Sequence, residues 1–298
     1  MIRNVRDTFA RMSPSLQGAI WMTLSAVLFA AQAGIVRYLA ADFHFVEIAF
    51  FRAAFGVLVM LPWLMRRGVG TLRTPYTGRY VARGFLSTAA MYGWFGGLTL
   101  IALGDATAIS FTFPLFIALF GVLLLGERAH ATRWIAMAVG FAGTLIVVRP
   151  GFQEFNIGVL MVIGAGVCIA GSAMILKVML RTDPPDKVAL YQSIYMLPFA
   201  AVGAYFVWTW PTAEQWFWAF AVGAVSTWAQ RLYSRAFAVG DVGAIMPFDF
   251  MRLPFAVLIG LFAFSQVPDV WTLAGGTVIF VASVYSGRAE GLRARKAA

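Results

Sequence analysis

Residues 18–37, GAIWMTLSAVLFAAQAGIVR, and residues 158–177, GVLMVIGAGVCIAGSAMILK, are two versions of one apolar run. Both begin with glycine, carry alanine at matching positions in the middle, and end on a basic residue, Arg37 or Lys177. A helix of about 20 apolar residues is long enough to cross the roughly 30 Å hydrocarbon core of a bilayer. The pair therefore predicts two membrane-spanning helices at equivalent positions of a duplicated chain.

Two further matches extend the duplication in the same order. Residues 84–88, GFLST, pair with residues 223–227, GAVST, and residues 102–109, ALGDATAI, pair with residues 238–245, AVGDVGAI. A single match of this kind would be chance, whereas three in register indicate an internal repeat.

The composition indicates that lipid is the main solvent of this chain. Of 298 residues, 61% are hydrophobic and 12% are charged, about half the roughly 25% charged residues of a soluble domain. A soluble fold of this length could not remove so much apolar surface from water, and a disordered chain is excluded as well. Because the chain has one cysteine and two histidines, we expect no internal disulfide, no metal centre and no cofactor.

Apolar runs long enough to cross a bilayer recur along the whole chain. They predict an all-α integral membrane protein with ten transmembrane helices joined by short connections. The predicted spans are residues 17–39, 45–65, 79–101, 105–125, 131–148, 157–178, 187–208, 214–236, 241–263 and 269–286.

Basic residues indicate which side of the membrane each loop occupies. With the N-terminus inside, nearly all of the 23 Lys and Arg residues fall in cytoplasmic segments, and we count Arg83 among them. Arg149 lies in an outer loop, while Arg37, Arg52 and Arg252 lie within spans. This bias predicts that both termini are cytoplasmic. The net charge of +10 is then a consequence of topology, and we expect no nucleic-acid partner.

An odd number of spans in each half sets the relative orientation of the halves. Five spans in the first repeat, residues 1–150, place the second repeat, residues 151–298, upside down in the membrane. Two inverted five-helix repeats around a central cavity have the geometry that alternating access requires. We therefore predict a secondary transporter in the lipid bilayer with a small molecule as its partner. Because the complete duplication could enclose a cavity within one chain, we expect a monomer.

Two neighbouring segments of the first repeat resemble a known family. Residues 114–127, PLFIALFGVLLLGE, and residues 140–150, GFAGTLIVVRP, are similar to consecutive spans of the EamA family in the drug/metabolite transporter superfamily. The narrower resemblance is to YddG-type exporters of aromatic and other amino acids. It implies a basket-like helical fold and export of amino acids and related metabolites across the bacterial inner membrane. The second half departs from the pattern, because Phe264-Ser265-Gln266 stands in place of the Gly-Glu pair that ends the fourth span.

Asp249 and Arg252 are the strongest candidates for substrate binding. They lie three residues apart near the middle of the ninth span, and therefore on one helical face. An ionised side chain at this depth normally faces protein or a water-filled cavity. Pro247 and Pro254 flank the pair and can kink the helix. The pair either contacts the charged groups of a zwitterionic solute or is an ion pair that holds the ninth span in place.

Aromatic and sulfur-containing side chains provide a second set of candidates. Met91, Tyr92 and Trp94 fall in the third span and Trp228 in the eighth. Such side chains would suit an aromatic or cationic solute through stacking and cation–π contacts. Ordinary helix packing explains each of them equally well.

Small polar residues complete the candidate site. Gln32 and Ser172 occupy equivalent positions in the duplicated first and sixth spans, where they would line a cavity on the pseudo-symmetry axis or hydrogen-bond to a neighbouring helix. Thr112 and Pro114 predict a break in the fourth span that corresponds to the prolines of the ninth. The alternative for these two residues is a tolerated kink.

Other functional classes remain as alternatives. Another small solute, such as a lipophilic cation or a sugar derivative, is open within the superfamily. A membrane-embedded enzyme is remote, because His44 and His130 fall in predicted loops on opposite sides of the membrane and no nucleophile is paired with either. A channel would need a carbonyl filter or a ring of charge, which the sequence does not contain.

Overall fold

The computed structural model describes residues 14–110, 112–125, 156–239, 246–267 and 269–278, together with positions 135, 138, 139, 142, 143, 145, 146, 280, 281 and 285. This part of the chain is helical and contains no β-strand. The α-helices are α1 (Pro14–Leu39), α2 (Phe45–Arg67), α3 (Thr77–Leu100), α4 (Leu103–Ser110), α5 (Phe113–Leu125), α6 (Ile157–Met179), α7 (Pro185–Tyr205), α8 (Ala213–Val239) and α9 (Arg252–Phe264). Short 3₁₀ helices cover Val69–Leu72 and Met246–Met251, and residues 270–278 are also helical.

Four of the described helices combine the length and hydropathy of a membrane span. They are Leu16–Leu39, Phe45–Arg67, Ile157–Met179 and Pro185–Tyr205, which correspond to the first, second, sixth and seventh predicted spans. The all-α prediction is confirmed for the part of the chain that the structure describes. The fifth predicted span lies largely outside the described residues, as do parts of the ninth and tenth, so the count of ten stays a prediction.

The fourth and ninth predicted spans are not continuous helices. Helix α4 ends at Ser110 and α5 begins at Phe113, and the Thr112 hydroxyl donates to the Ile109 carbonyl, 2.8 Å away. Pro114 is the second residue of α5, where its missing N–H has no helical partner to lose. In the ninth span the 3₁₀ helix Met246–Met251 leads directly into α9. The predicted break at Thr112 and Pro114 is therefore present.

The largest helix contacts join the two halves. Helix α1 packs against α8 and α3 packs against α6. The Ser25 hydroxyl donates to the Ala229 carbonyl and Tyr38 donates to Glu214, so α1 and α8 run antiparallel. Ser87 contacts Ser172.

Glycines allow α3 and α6 to approach closely. A Cβ atom on Gly93 would lie 2.6 Å from the Met161 carbonyl oxygen, and one on Gly97 would lie 3.2 Å from the Gly158 oxygen. Together with the Ser87–Ser172 contact, this register makes α3 and α6 antiparallel. Small residues permit such backbone proximity between membrane helices.

The remaining contacts assign a direction to most of the long helices. Helices α2 and α7 run antiparallel, with position 56 beside Ser193 and position 203 beside Val46. Helix α2 runs parallel to α8, since Phe55 contacts Phe220. Helix α3 runs parallel to α7, as Arg83–Gln192 and neighbouring contacts indicate. Helix α1 runs parallel to α9, with Gly34 beside Ile259, and α6 runs parallel to α5, with Gly166 beside Phe113. Thus α1, α3, α7 and α9 run one way, and α2, α5, α6 and α8 run the other.

Candidate functional site

A cavity of about 140 Å³ lies between the two halves of the chain. A single water needs roughly 10–15 Å³ by the same measure, so the cavity has room for a small organic molecule. Every one of the long helices α1 to α3 and α5 to α9 supplies side chains to it. The lining residues are Phe29, Gln32, Arg52, Arg83, Ser87, Ala90, Met91, Trp94, Phe113, Ile117, Ile169, Ser172, Ala173, Leu176, Gln192, Gln230, Tyr233, Asp249 and Arg252.

Most of the residues predicted from sequence lie in this lining. The structure brings together Gln32 on α1, Met91 and Trp94 on α3, Ser172 on α6, and the pair Asp249 and Arg252 at the start of α9. The Trp94 ring packs edge-on against Phe113, with centroids 5.9 Å apart. These two rings form an apolar wall beside the polar groups.

Three of the other four predicted residues, Tyr92, Thr112 and Trp228, lie away from the cavity. Tyr92 turns toward α7, where its hydroxyl donates to the Phe199 carbonyl, 3.3 Å away. Trp228 is 47% exposed, with the Arg231 guanidinium 4.5 Å above its ring. Thr112 is buried and bonds within its own turn. The side chain of Pro114, in the first turn of α5, lies outside the described part of the structure. A helix presents only one face to a cavity, and spacing alone did not identify that face.

Asp249 and Arg252 form an ion pair with 2.6 Å between Oδ1 and Nη2. Asp249 belongs to the 3₁₀ helix and Arg252 is the first residue of α9. The two side chains were predicted to share one face of a continuous α-helix, whereas they meet at the junction of these two helices. The Arg252 guanidinium also lies 5.0 Å from the centre of the Phe29 ring. The pair connects α9 to α1 and borders the cavity at the same time.

Arg83 is a lining residue that the sequence prediction assigned to the cytoplasmic segments. It is only 2% exposed and lies within α3. Its Nη1 donates to the Val188 carbonyl at 3.1 Å and its Nη2 to the Gln192 side-chain oxygen at 2.8 Å. The sequence prediction counted Arg83 only as a charge of the cytoplasmic side. Its burial within the helix bundle was missed because its acceptors lie on α7, which is distant in the sequence.

Arg52 is the second buried guanidinium, and it is 4% exposed. The one acceptor that it contacts is the sulfur of Met196, 3.3 Å from Nη1, which is a weak acceptor. Arg83 lies near enough to interact with it electrostatically. Among the described residues, the Met196 sulfur is the only hydrogen-bond acceptor of Arg52, and neither arginine forms an ion pair with a carboxylate.

Unpaired polar atoms concentrate in the cavity. In the described part of the chain, four buried side-chain atoms have no hydrogen-bond partner: Gln32 Oε1 and the Nε atoms of Arg52, Arg83 and Arg252. All four belong to residues that line the cavity. Buried polar groups in folded proteins are normally paired, so this concentration indicates a site for a polar ligand.

The cavity lies between two differently built ends. Toward the start of α3, Tyr80 packs on Tyr191 and Tyr195; we call these three residues the tyrosine cluster. The Tyr80 hydroxyl donates to the Asp183 carboxylate, 2.7 Å away. Asp183 also forms an ion pair with Lys187. Beside the cluster, Asp186 pairs with Arg231 and Arg235 of α8, at 2.8 and 3.2 Å.

The opposite end is closed by aromatic rings. Toward the start of α2, Phe51 contacts Phe43, Phe50, Trp208 and Trp216 at centroid distances of 5.5 to 6.0 Å. We call these five residues the aromatic cluster. The two ends therefore differ in chemistry. Ion pairs connect the helices at the tyrosine-cluster end, whereas ring contacts predominate at the other end, where the buried Glu47 accepts hydrogen bonds from the backbone of His44 and Thr209.

Comparison with known proteins identifies the family. The sequence profile of the EamA-like transporter family matches residues 16–149 and, a second time, residues 156–287. The chain belongs to the EamA-like transporter family. It is therefore a multi-pass membrane protein from a family of small-solute transporters, as the resemblance of residues 114–127 and 140–150 implied.

Several EamA-family relatives carry names that state a solute. The chain is 29% identical to a riboflavin transporter of Rhizobium johnstonii, with 100% of both chains covered. It is 30% identical to an S-adenosylmethionine uptake transporter of Rickettsia bellii, covering 90% of this chain and 92% of the relative. It is 26% identical to the pseudopaline exporter CntI of Pseudomonas aeruginosa, covering 92% and 96%. None of these three is named as an amino-acid exporter, so they support the family and not the narrower YddG-type resemblance.

A solved crystal structure shares the EamA-family fold. It aligns with a TM-score of 0.69 over 92% of this chain and 99% of the other, at 19% sequence identity. At that identity the likeness concerns the fold alone.

Proposed function

We propose that this chain is a secondary transporter that carries a small organic solute through the cavity by alternating access. The supporting observation is the position of the unpaired polar atoms. Gln32 on α1 belongs to the first half and Arg252 on α9 to the second, and both leave a buried atom without a partner in one cavity. A solute bound between the halves would satisfy these atoms and would be released when the halves rearrange.

Opposed helix directions support an inverted relation between the halves. Helices α1, α2, α3 and α5 alternate in direction, and their counterparts α6, α7, α8 and α9 alternate in the opposite sense. The packing between the halves is also reciprocal. Helix α1 contacts α8, and its counterpart α6 in the second half contacts α3, the counterpart of α8. Such an arrangement would present similar structure to both sides of the membrane. The proposal therefore retains two inverted five-helix repeats, residues 1–150 and 151–298.

The membrane orientation in this proposal follows the basic residues. The bacterial inner membrane, with both termini in the cytoplasm, is the orientation that the Lys and Arg bias favours. Leaving the buried Arg83 out of the count keeps that bias strong, because Arg66, Arg67 and Arg73 remain on the same side. A single copy encloses the cavity with its own helices, which favours a monomer.

Solute contact in this proposal involves the predicted residues that line the cavity. Trp94 and Met91 would contact an apolar part of the solute, and Gln32 and Ser172 would hydrogen-bond to it. Asp249 and Arg252 would contact the solute or control its passage. Thr112 and Pro114 have a different role in the proposal, as the break that permits α4 and α5 to move separately.

The relatives suggest candidate solutes but no common direction. Their names include an uptake transporter and an exporter, so the predicted direction of export is not set by the family. Counterflow in proteoliposomes should therefore compare riboflavin and S-adenosylmethionine with tryptophan, phenylalanine, threonine, methionine and methyl viologen. Export of amino acids is retained as a proposal only if tryptophan or another amino acid exchanges.

A test of alternating access need not await the solute. Ser172→Cys in a Cys168→Ser background places one thiol in the cavity. We expect a membrane-impermeant thiol reagent to modify it from either side of the membrane, because the cavity opens to each side in turn. Leu58→Cys, at a half-exposed position on the outside of α2, is the control. Reaction of position 172 from one side only would contradict alternating access.

A further inference from the structure

We propose that Arg52 and Arg83 form an anion-binding subsite, so that the transported solute carries a carboxylate or phosphate group. This inference rests on the proposed transport function and specifies its substrate class. Both guanidinium groups line the cavity, and the subsite lies between α2 and α3 of the first half and α7 of the second.

The hydrogen bonds of the two arginines leave donors free. A guanidinium has five N–H donors. Arg83 uses two of its nitrogens on Val188 and Gln192, and Arg52 uses one on a sulfur atom. The Nε of each is buried without a partner. A carboxylate or phosphate accepts several N–H bonds at once and matches the planar fork of arginine.

The charges around the cavity are unbalanced in the same sense. Three guanidinium groups share the described lining with one carboxylate, and that carboxylate, Asp249, is already paired with Arg252. The other described ion pairs involve Asp183 and Asp186 at the tyrosine-cluster end. A buried charge is costly when it lacks a counter-ion. Within the described part of the chain, Arg52 and Arg83 therefore lack an anionic partner, and the solute would supply one.

A purely structural role explains only part of this arrangement. Arg83 connects α3 to α7 through a backbone carbonyl and an amide oxygen. Arg52 makes no comparable connection, because a thioether sulfur holds a guanidinium only weakly. A second buried cation beside the first repels it. Helix packing alone would favour an apolar side chain of similar volume at position 52.

The remaining lining describes the rest of the solute. The Trp94–Phe113 wall and Met91 present apolar surface in the same cavity. We therefore infer an organic anion with an aromatic or otherwise apolar body. A permanently cationic solute such as methyl viologen would be repelled by the same two arginines.

Equilibrium binding to purified full-length protein in lipid nanodiscs tests the subsite with probes of matched shape. The pairs are indole-3-propionate against its amide for a carboxylate, and phenyl phosphate against its neutral dimethyl ester for a phosphate. We expect at least one anion to bind about tenfold or more tightly than its neutral partner, and the better of the two identifies the anionic group. Equal binding within both pairs, or no binding of either anion, would overturn the inference.

Variants of Arg52 test which residue is responsible. Because Arg52 contacts only Met196 in its hydrogen bonding, Arg52→Gln should fold, and it should remove most of the preference for the anion. Arg52→Lys keeps the charge and should restore part of that preference. Arg66→Gln, at an exposed arginine of the same helix, is the matched control and should bind as the unmodified protein does. An unchanged preference in Arg52→Gln would contradict the assignment.

A charge-selective thiol reaction gives a readout that does not depend on transport. In the Ser172→Cys protein we expect an anionic methanethiosulfonate to react faster than a cationic one, relative to their rates with a free thiol. Arg52→Gln should lower that ratio by about tenfold, as removal of one nearby charge in a medium of intermediate dielectric implies. If position 172 reacts from one side of the membrane only, and the anionic reagent still reacts faster, alternating access is refuted and the anion site is supported. Equal rates would refute the anion site alone, and no reaction at position 172 would refute both.

Discussion

The hydroxyl groups of Ser87 and Ser172 lie 3.0 Å apart and connect α3 to α6 across the boundary between the two halves. The corresponding positions on α8 and α1 are Ser226 and Gln32, and they do not repeat this bond. Ser226 donates to the Val222 carbonyl of its own helix, and Gln32 Oε1 is left without a partner. The duplication is therefore asymmetric at the cavity, and the unpaired acceptor lies on the α1 side.

Replacing Gln32 should separate transport from stability. In Gln32→Leu we expect solute flux to fall by about tenfold, because the acceptor that faces the cavity is removed. The melting temperature in detergent should stay the same or rise, since Oε1 has no partner to lose and an unpaired buried acceptor costs about 1–3 kcal/mol.

Ser172→Ala provides the matched comparison. It removes one member of a hydrogen-bonded pair and leaves Ser87 unsatisfied, so it should lower stability by about 1 kcal/mol. A Gln32→Leu protein that melts well below the unmodified chain would show that Gln32 has a structural partner.

Asp249→Asn should reduce transport by about tenfold or more while the protein remains folded in the membrane. The change adds a third uncompensated guanidinium to the cavity by releasing Arg252. Flux into proteoliposomes and gel-filtration behaviour measure the two effects separately.

The double variant Asp249→Asn/Arg252→Gln distinguishes the two interpretations of the pair. If the ion pair only holds α9 in place, removing both charges should restore most of the flux. If either side chain contacts the solute, the double variant should remain inactive. Unchanged flux in Asp249→Asn would remove Asp249 from the mechanism.

The close approach of α3 and α6 should tolerate no larger side chain at position 93. A Cβ there would lie 2.6 Å from the Met161 carbonyl oxygen and 3.1 Å from the Ala165 Cβ. Gly93→Val should therefore lower the free energy of unfolding by about 1–3 kcal/mol, as overpacking generally does. Thermal unfolding in detergent measures the loss.

Gly78→Ala is the control within the same helix. Nothing lies within 4 Å of a Cβ at that position, and alanine is favoured over glycine in a helix by about 1 kcal/mol. This variant should be as stable as the unmodified protein or slightly more so. Equal stability of Gly93→Val and Gly78→Ala would contradict the close contact.

The ion pairs between α7 and α8 should restrict access to the cavity from the tyrosine-cluster end. Asp186 pairs with both Arg231 and Arg235. In Asp186→Asn we expect the thiol of Ser172→Cys to react several-fold faster from the side of the membrane on which the tyrosine cluster lies, because one contact that holds the helices together is weakened. The rate from the opposite side should not rise, and an increase on both sides would indicate general loosening instead.

Sequence patterns predicted the helices better than the contacts of individual side chains. The first, second, sixth and seventh spans were placed within a few residues, and the break at Thr112 was anticipated from the residue types. Trp228 and Tyr92 were expected beside the solute, yet one faces outward and the other faces α7. Arg83 was counted as a topological charge, although it is buried within α3 against acceptors from α7.

What the sequence by itself determined is the all-helical character, the duplication and the family, because hydropathy, span length and repeated residues are properties of the chain read in order. Only the tertiary structure decided which face of each helix lines the cavity, and that Arg52, Arg83 and Gln32 meet there without sufficient partners. The physical reason is that these surroundings come from helices far apart in sequence. Their packing across small residues such as Gly93 is not encoded in any single span.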